Sequence, residues 1–218
     1  GMAKPIAPPS DTKQHGSLLL RKIGYGTRNL MLGPAMSAAQ AVSAVHAGMD
    51  VVRHLPGNVI ALGDVGVANS VSAAMLLSRL CGVPLEDAFS REDADASVAD
   101  DSRHGKRVEK LSAAAVRHRK AIGPFEALAA LGGFEIAMMT GAMLQAASER
   151  RVVLVDGYVA GAAALVARGL CPDVVDYLVF THRAADTGHR LLLIHMQTQP
   201  LLDLGLRIGQ GTGALMAW

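Results

Sequence analysis

Val152-Val153-Leu154-Val155-Asp156-Gly157 is an apolar, β-branched run that gives way to a polar turn, with a helical pattern over 158–169 behind it. The order repeats at once: Tyr177-Leu178-Val179-Phe180 reads as a strand, Thr181-His182-Arg183 as its turn, and 186–195 as a helix. Strand, short polar turn and helix in repetition define βαβ units and a parallel sheet, so the expected class is α/β.

Working outward, Val59-Ile60-Ala61-Leu62 is an earlier buried strand, with Gly63-Asp64-Val65-Gly66 turning out of it. Asn69 or Ser70 is placed to cap the next helix, which ends near Cys81-Gly82. Upstream, Gly24–Asn29 reads as a loop, and Ser37 as the N-cap of a helix over about 38–54. Downstream, the stretch from about 88 to 105 is polar and acidic and reads as a solvated, mobile loop. Helices are expected over 106–120, 125–131 and 134–149. The last motif, Leu204 to Ala214, runs from apolar residues into Gly209-Gln210-Gly211-Thr212-Gly213, three glycines in five positions, then a helical pattern. Residues 1–16 are Pro-rich and polar and are expected to be disordered, leaving one domain over 17–218.

Of the 218 residues, 50% are hydrophobic and 18% charged, enough for one large core. Aromatics are 4%, so Ala, Leu, Val and Met must fill it. The net charge of +2 shows no basic stripe interleaved with aromatics, which argues against nucleic acid. Cys81 and Cys171 form no CxxC pair and fit a reduced, cytoplasmic chain. Apolar runs break well short of the ~20 residues that a membrane span needs. No metal-ligand spacing, P-loop or Gly-x-Ser-x-Gly occurs.

In a parallel α/β sheet, ligands bind beyond the carboxyl ends of the strands. That rule selects Asp64, Gly66 and Asn69 after the first strand, and Asp156 with Gly157 after the second. It also selects Thr181 and His182, and Gly209, Gln210, Gly211 and Thr212. Glycines and helix starts offer N–H donors to an anion, so a phosphorylated small molecule is the expected guest. Plainer roles weigh equally: Asp156 as a helix N-cap, His182 as a loop hydrogen-bonder, His189 as a structural helix residue, and the methionines 138, 139 and 143 as core.

Several of these motifs, in this order, resemble the nicotinate-nucleotide–dimethylbenzimidazole phosphoribosyltransferases. The matching stretches are Gly26-Thr27-Arg28-Asn29 with Pro34-Ala35-Met36, Ala61–Asn69, Leu131–Ala137, Val155–Tyr158 with Ala162–Leu165, His182-Arg183 with Gly188–Leu193, and Pro200–Arg207 running into Gly211–Ala214. The resemblance implies a three-layer, Rossmann-like doubly wound sheet with helices on both faces, in a homodimer. It implies transfer of phosphoribose from nicotinate mononucleotide to a benzimidazole nitrogen, without metal or redox cofactor. The family pattern carries Gly-Glu-Gly, with Glu as presumed base, where this chain has Gly209-Gln210-Gly211. Its strand-end Glu is the shorter Asp64 here, and a Gly-rich phosphate segment is replaced by the acidic stretch 90–102. A basic residue that follows that segment in the family has Lys106 or Arg107 as its candidate. The family also carries a long N-terminal segment that helps form the benzimidazole pocket; a separate chain supplying it is one form of the partner-binding alternative. Asp64 and Gln210 are thus the candidate catalytic residues. A catalytically impaired paralogue that binds a nucleotide or a partner subunit is the alternative, and a ligand-free structural module the third.

Overall fold

A computed structural model describes residues 19–89, 98–206 and 209–218, with the backbone alone over 98–103. The expectations for residues 1–16 and 90–97 lie outside the described residues. Helix α1 (Ala38–Arg53) starts on a reciprocal cap. The Gln40 N–H donates to Ser37 Oγ at 3.1 Å, and the Ser37 N–H to Gln40 Oε1 at 3.0 Å. It packs on α6 (Phe134–Ser148) at backbone distance. A Cβ at Gly48 would strike the Met138 carbonyl, and one at Gly141 the Val45 carbonyl. The small residues of this chain thus let helices touch where a larger side chain would hold them apart. The same logic applies to α7 (Gly157–Leu170), buried along most of its length with alanines at 160, 162, 163, 164 and 167.

Strands β1 (Val59–Leu62), β2 (Val152–Val155) and β3 (Leu178–Phe180) form a parallel sheet in the order β1-β2-β3. Leu62 lies opposite Val155, and Val155 opposite Phe180, so all three carboxyl ends reach one edge. Among the described residues the expected single, doubly wound sheet does not form. They build this three-stranded sheet, whose order does not reverse, and a separate parallel pair, β4 (His182–Ala184) with β5 (Leu202–Leu206). The Thr181 N–H and Oγ–H both donate to the Val155 carbonyl, at 3.1 and 3.0 Å, while the Phe180 and Thr181 carbonyls accept the Leu201 and Leu202 N–H groups at 3.0 and 2.9 Å, so pairing passes here from β2 to the β5 segment. His182 and Arg183 belong to a strand rather than to the expected turn.

Helix α2 (Asn69–Cys81) starts after Ala68, whose φ is 57°, with no side-chain cap. Neither Asn69 nor Ser70 caps it as expected. After α3 (Leu85–Ala88), α4 runs over Val98–Arg117, so its backbone is helical eight residues before the expected start at 106. An acidic run suits a helix start as well as a loop, because the helix dipole favours carboxylates there. Arg79 holds the far end of α4, donating to the carbonyls of Ala115 (2.6 Å) and His118 (3.0 Å). From that end, Arg117 donates to the Leu32 carbonyl at 3.0 Å, and His118 Nε2 lies 2.9 Å from the Leu30 carbonyl. Then come α5 (Pro124–Leu131), a 3-10 turn before β3, α8 (Thr187–Met196) and α9 (Thr212–Ala217). Among the described residues no helix is long and apolar enough to cross a membrane. Cys81 is half-buried, Cys171 is exposed, and both are free.

Candidate active site

The sheet edge and the last turn of the chain meet. Gly209–Thr212 form a tight turn closed by the Thr212 N–H on the Gly209 carbonyl at 3.2 Å. Gln210 has φ 64° and Gly211 φ 85°, both left-handed, which defines a type I′ turn. Glycine takes that conformation freely, whereas a glutamine is strained there. The turn sits on the end of β1: a Cβ at Gly63 would strike the Gly211 backbone.

Asp156 holds the turn in place. Its side chain caps nothing at the start of α7, contrary to the N-cap alternative. Instead its carboxylate accepts the Gly211 N–H at 2.8 Å and the Ala214 N–H at 3.1 Å. It is 1% exposed, and its Oδ1 lies 3.5 Å from His182 Nδ1, itself 3.3 Å from Thr181 Oγ1. Gly213 is the residue that permits this, because a Cβ there would overlap both His182 Nδ1 and Asp156 Oδ1. Behind the cluster, His189 accepts the Ala184 N–H on Nδ1 at 3.0 Å. Its Nε2 is buried without a partner. Burial first, and His182 second, push the His189 pKa down to about 3, so the ring is neutral and structural.

A cavity of about 320 Å³ opens at this edge. Of the sequence candidates, Asp64, Gly66, Asn69, Asp156, Gly157, His182, Gly209 and Gln210 line it. Thr181, Gly211 and Thr212 do not; they support it through the bonds just described. Tyr158 and Asp186 also line it and were missed in the sequence. They were findable by the same rule, since Tyr158 follows Asp156-Gly157 and Asp186 follows β4. The Asp64 Oδ2 accepts from Asn69 Nδ2 at 2.5 Å. Burial raises the Asp64 pKa; the Asn69 bond opposes that rise, and the charges of Glu135 and Asp156 add to it. The Tyr158 hydroxyl donates to the Ala88 carbonyl at 2.8 Å, and burial pushes its pKa well above the ordinary value.

A second cavity, about 410 Å³, shares Gly66 and Asn69 with the first. Its walls are the 26–31 loop, the start of α2, Gly132-Gly133 with Glu135, and Lys110. Neither Lys106 nor Arg107 lines it. The Arg107 guanidinium lies 5.1 Å over the Phe89 ring, and Lys110, one turn on, faces the cavity instead. Among the described residues no set of three His, Cys, Asp or Glu is placed to hold a metal.

Parallel strands, carboxylates at their ends and an uncapped helix start beside them describe a candidate small-molecule site on an α/β scaffold. A family model for phosphoribosyltransferases matches residues 5–218, and the chain belongs to that family. It is 48% identical over 200 residues to the nicotinate-nucleotide–dimethylbenzimidazole phosphoribosyltransferase of Cupriavidus taiwanensis, covering 90% of this chain and 57% of that one. It is 43% identical over 208 residues to the protein of the same name from Variovorax paradoxus, covering 95% and 58%. The solved structure of nicotinate-nucleotide–dimethylbenzimidazole phosphoribosyltransferase from Thermus thermophilus superposes with a TM-score of 0.87 at 31% identity. That match covers all of this chain and 62% of the other. The chain thus spans somewhat under two thirds of the length of these relatives.

Proposed function

We propose that the chain transfers phosphoribose from nicotinate mononucleotide to a nitrogen of a 5,6-dimethylbenzimidazole-type base, as the names of its relatives describe. The observation that carries this is the pairing of an uncapped α2 start with a cluster of carboxylates across the shared wall of two cavities. The first N–H groups of α2 offer a seat for the 5′-phosphate. Asp64, Glu135 and Asp156 lie close enough that Glu135 and Asp156 both raise the Asp64 pKa. The same negative field stabilises positive charge, which is what a ribosyl carbon develops as its bond to nicotinate breaks. In the reaction the acceptor nitrogen bonds to C1′, the old C1′–N bond returns its electrons to nicotinate, and the acceptor's N–H proton leaves. Asp64 is the proton acceptor in this reading, while Gln210 orients the base through its amide, which takes no proton near neutral pH. The reading needs neither metal nor redox cofactor, and it includes a homodimer working in the cytoplasm.

Gln210 favours the alternative in one respect: a site with an amide at its rim binds better than it deprotonates. In that reading the chain is a catalytically impaired nucleotide binder, or one whose site a separate chain completes. Mixing the purified chain with nicotinate mononucleotide and dimethylbenzimidazole, and following ribazole phosphate by chromatography, separates the two. No product at high protein concentration removes the transferase reading; no heat on titration with the nucleotide removes the nucleotide binder as well and leaves only the site that a separate chain completes.

A further inference from the structure

The walls of the smaller cavity carry few groups able to take a proton. Both Asp156 oxygens are engaged by the Gly211 and Ala214 N–H groups, and the side chain is buried. The Tyr158 hydroxyl is spent on the Ala88 carbonyl. Gln210 is an amide. Asp64 differs: its plane is fixed by Asn69 Nδ2, it is half-buried, and it borders the cavity. Burial raises its proton affinity above that of an ordinary carboxylate. The rim beside it is wet, since Val65, Gly66, Gly209 and Gln210 are all exposed and Val67 is 94% exposed. Group transfer in preference to hydrolysis depends on keeping water out. This rim does not, and water fits beside the short Asp64 side chain.

We propose that the site also hydrolyses the N-glycosidic bond of a pyridine nucleotide, with Asp64 as general base towards water. The proposal rests on the nucleotide-binding part of the function above but not on the benzimidazole acceptor. The bookkeeping of atoms is complete. Water oxygen bonds to C1′ and gives one proton to Asp64. The C1′–N bond breaks and its electron pair neutralises the pyridinium nitrogen. The products are ribose 5-phosphate and nicotinate, with no co-reactant beyond water. The negative field of Glu135 and Asp156 serves this path as it serves transfer, because both pass through a cationic ribosyl carbon.

The test is to incubate the full chain with nicotinate mononucleotide alone and to follow nicotinate and ribose 5-phosphate by chromatography with mass detection. The two products should appear in equal amounts. Asp64→Asn should lower the rate about 100-fold or more, while calorimetric binding of the nucleotide persists, since the α2 N–H groups remain and an asparagine oxygen still accepts from Asn69. Asp64→Glu, which keeps a carboxylate, should retain part of the rate, and thermal melts of both variants check that they fold. Binding without nicotinate release overturns the proposal and leaves the nucleotide site standing. So does ribazole phosphate made with acceptor present but no ribose 5-phosphate without it. Release that survives Asp64→Asn and is lost in Asp186→Asn overturns the assignment to Asp64. An absence of any binding heat overturns this proposal and the transferase reading together.

Discussion

The Asp156 carboxylate receives the Gly211 N–H at 2.8 Å, a bond between residues 55 positions apart that joins the end of β2 to the last turn of the chain. A second bond, from the Ala214 N–H at 3.1 Å, makes the carboxylate a clamp on the start of α9. Gln210 reaches the cavity only because this clamp holds the turn in its left-handed shape.

Asp156→Ala leaves the buried Ala214 N–H and the half-buried Gly211 N–H without their acceptor. Each loss to a charged group costs about 1.5–3 kcal/mol, so urea unfolding should show a destabilisation of about 3 kcal/mol or more. Amide exchange at Gly211 and Ala214 should quicken first. Protection that is unchanged at both amides would mean that the clamp is not what holds the turn.

Gln210→Gly separates strain from use. A left-handed non-glycine residue costs about 1–2 kcal/mol, while glycine loses about 1 kcal/mol more chain entropy on folding. The two nearly cancel, so stability should stay within about 1 kcal/mol, whereas affinity for the benzimidazole base should fall. Gln210→Glu supplies a carboxylate at the same rim and should raise ribazole phosphate formation about 10- to 100-fold. A flat response would place the limiting step elsewhere.

At Gly48 and Gly141, two effects compete. Alanine gains about 1 kcal/mol of helix propensity over glycine. Its Cβ would, however, press on the backbone carbonyls of Met138 and Val45, which cannot swing aside. Overpacking of this kind costs about 1–3 kcal/mol, so each Gly→Ala change should lower the denaturation midpoint. A raised midpoint would show that α1 and α6 have room to part.

The buried, neutral His189 makes stability depend on pH. Its native pKa is about 3, below the ordinary 6.5 that it regains on unfolding. Between those values only the unfolded chain binds the proton, so stability is whole above pH ~6.5 and falls by about 1.4 kcal/mol per unit below it. Protonation would also destroy the Nδ1 acceptor for the Ala184 N–H. Melting temperature from pH 7 to 5 should show the slope, and His189→Asn should flatten it. Asp64 has the opposite sign. Its native pKa is raised, chiefly by burial, so charging it as pH rises costs stability. Asp64→Asn should therefore melt slightly higher than the parent at pH 7.

The sequence alone determined the elements and the edge where chemistry collects. Local patterns produced β1 and β2 at their full bounds, and Ser37 with Gln40 started α1 because capping is a matter of a few neighbouring residues. The strand-end rule put eight of the named candidates on one cavity. Only the tertiary structure decided the rest, because it depends on partners distant in the chain. Thr181 joined Val155 on one side and Leu202 on the other, and Asp156 turned from a helix cap into a clamp on Gly211. Gly213 became obligatory through atoms of His182 and Asp156 that lie far from it in sequence. Gly-x-Gly-x-Gly on the page is a flexible string. Folded, Gly211 is held by the buried Asp156 carboxylate, Gly213 leaves room for that carboxylate and His182, and Gln210 beside Gly211 sits at the rim of the site.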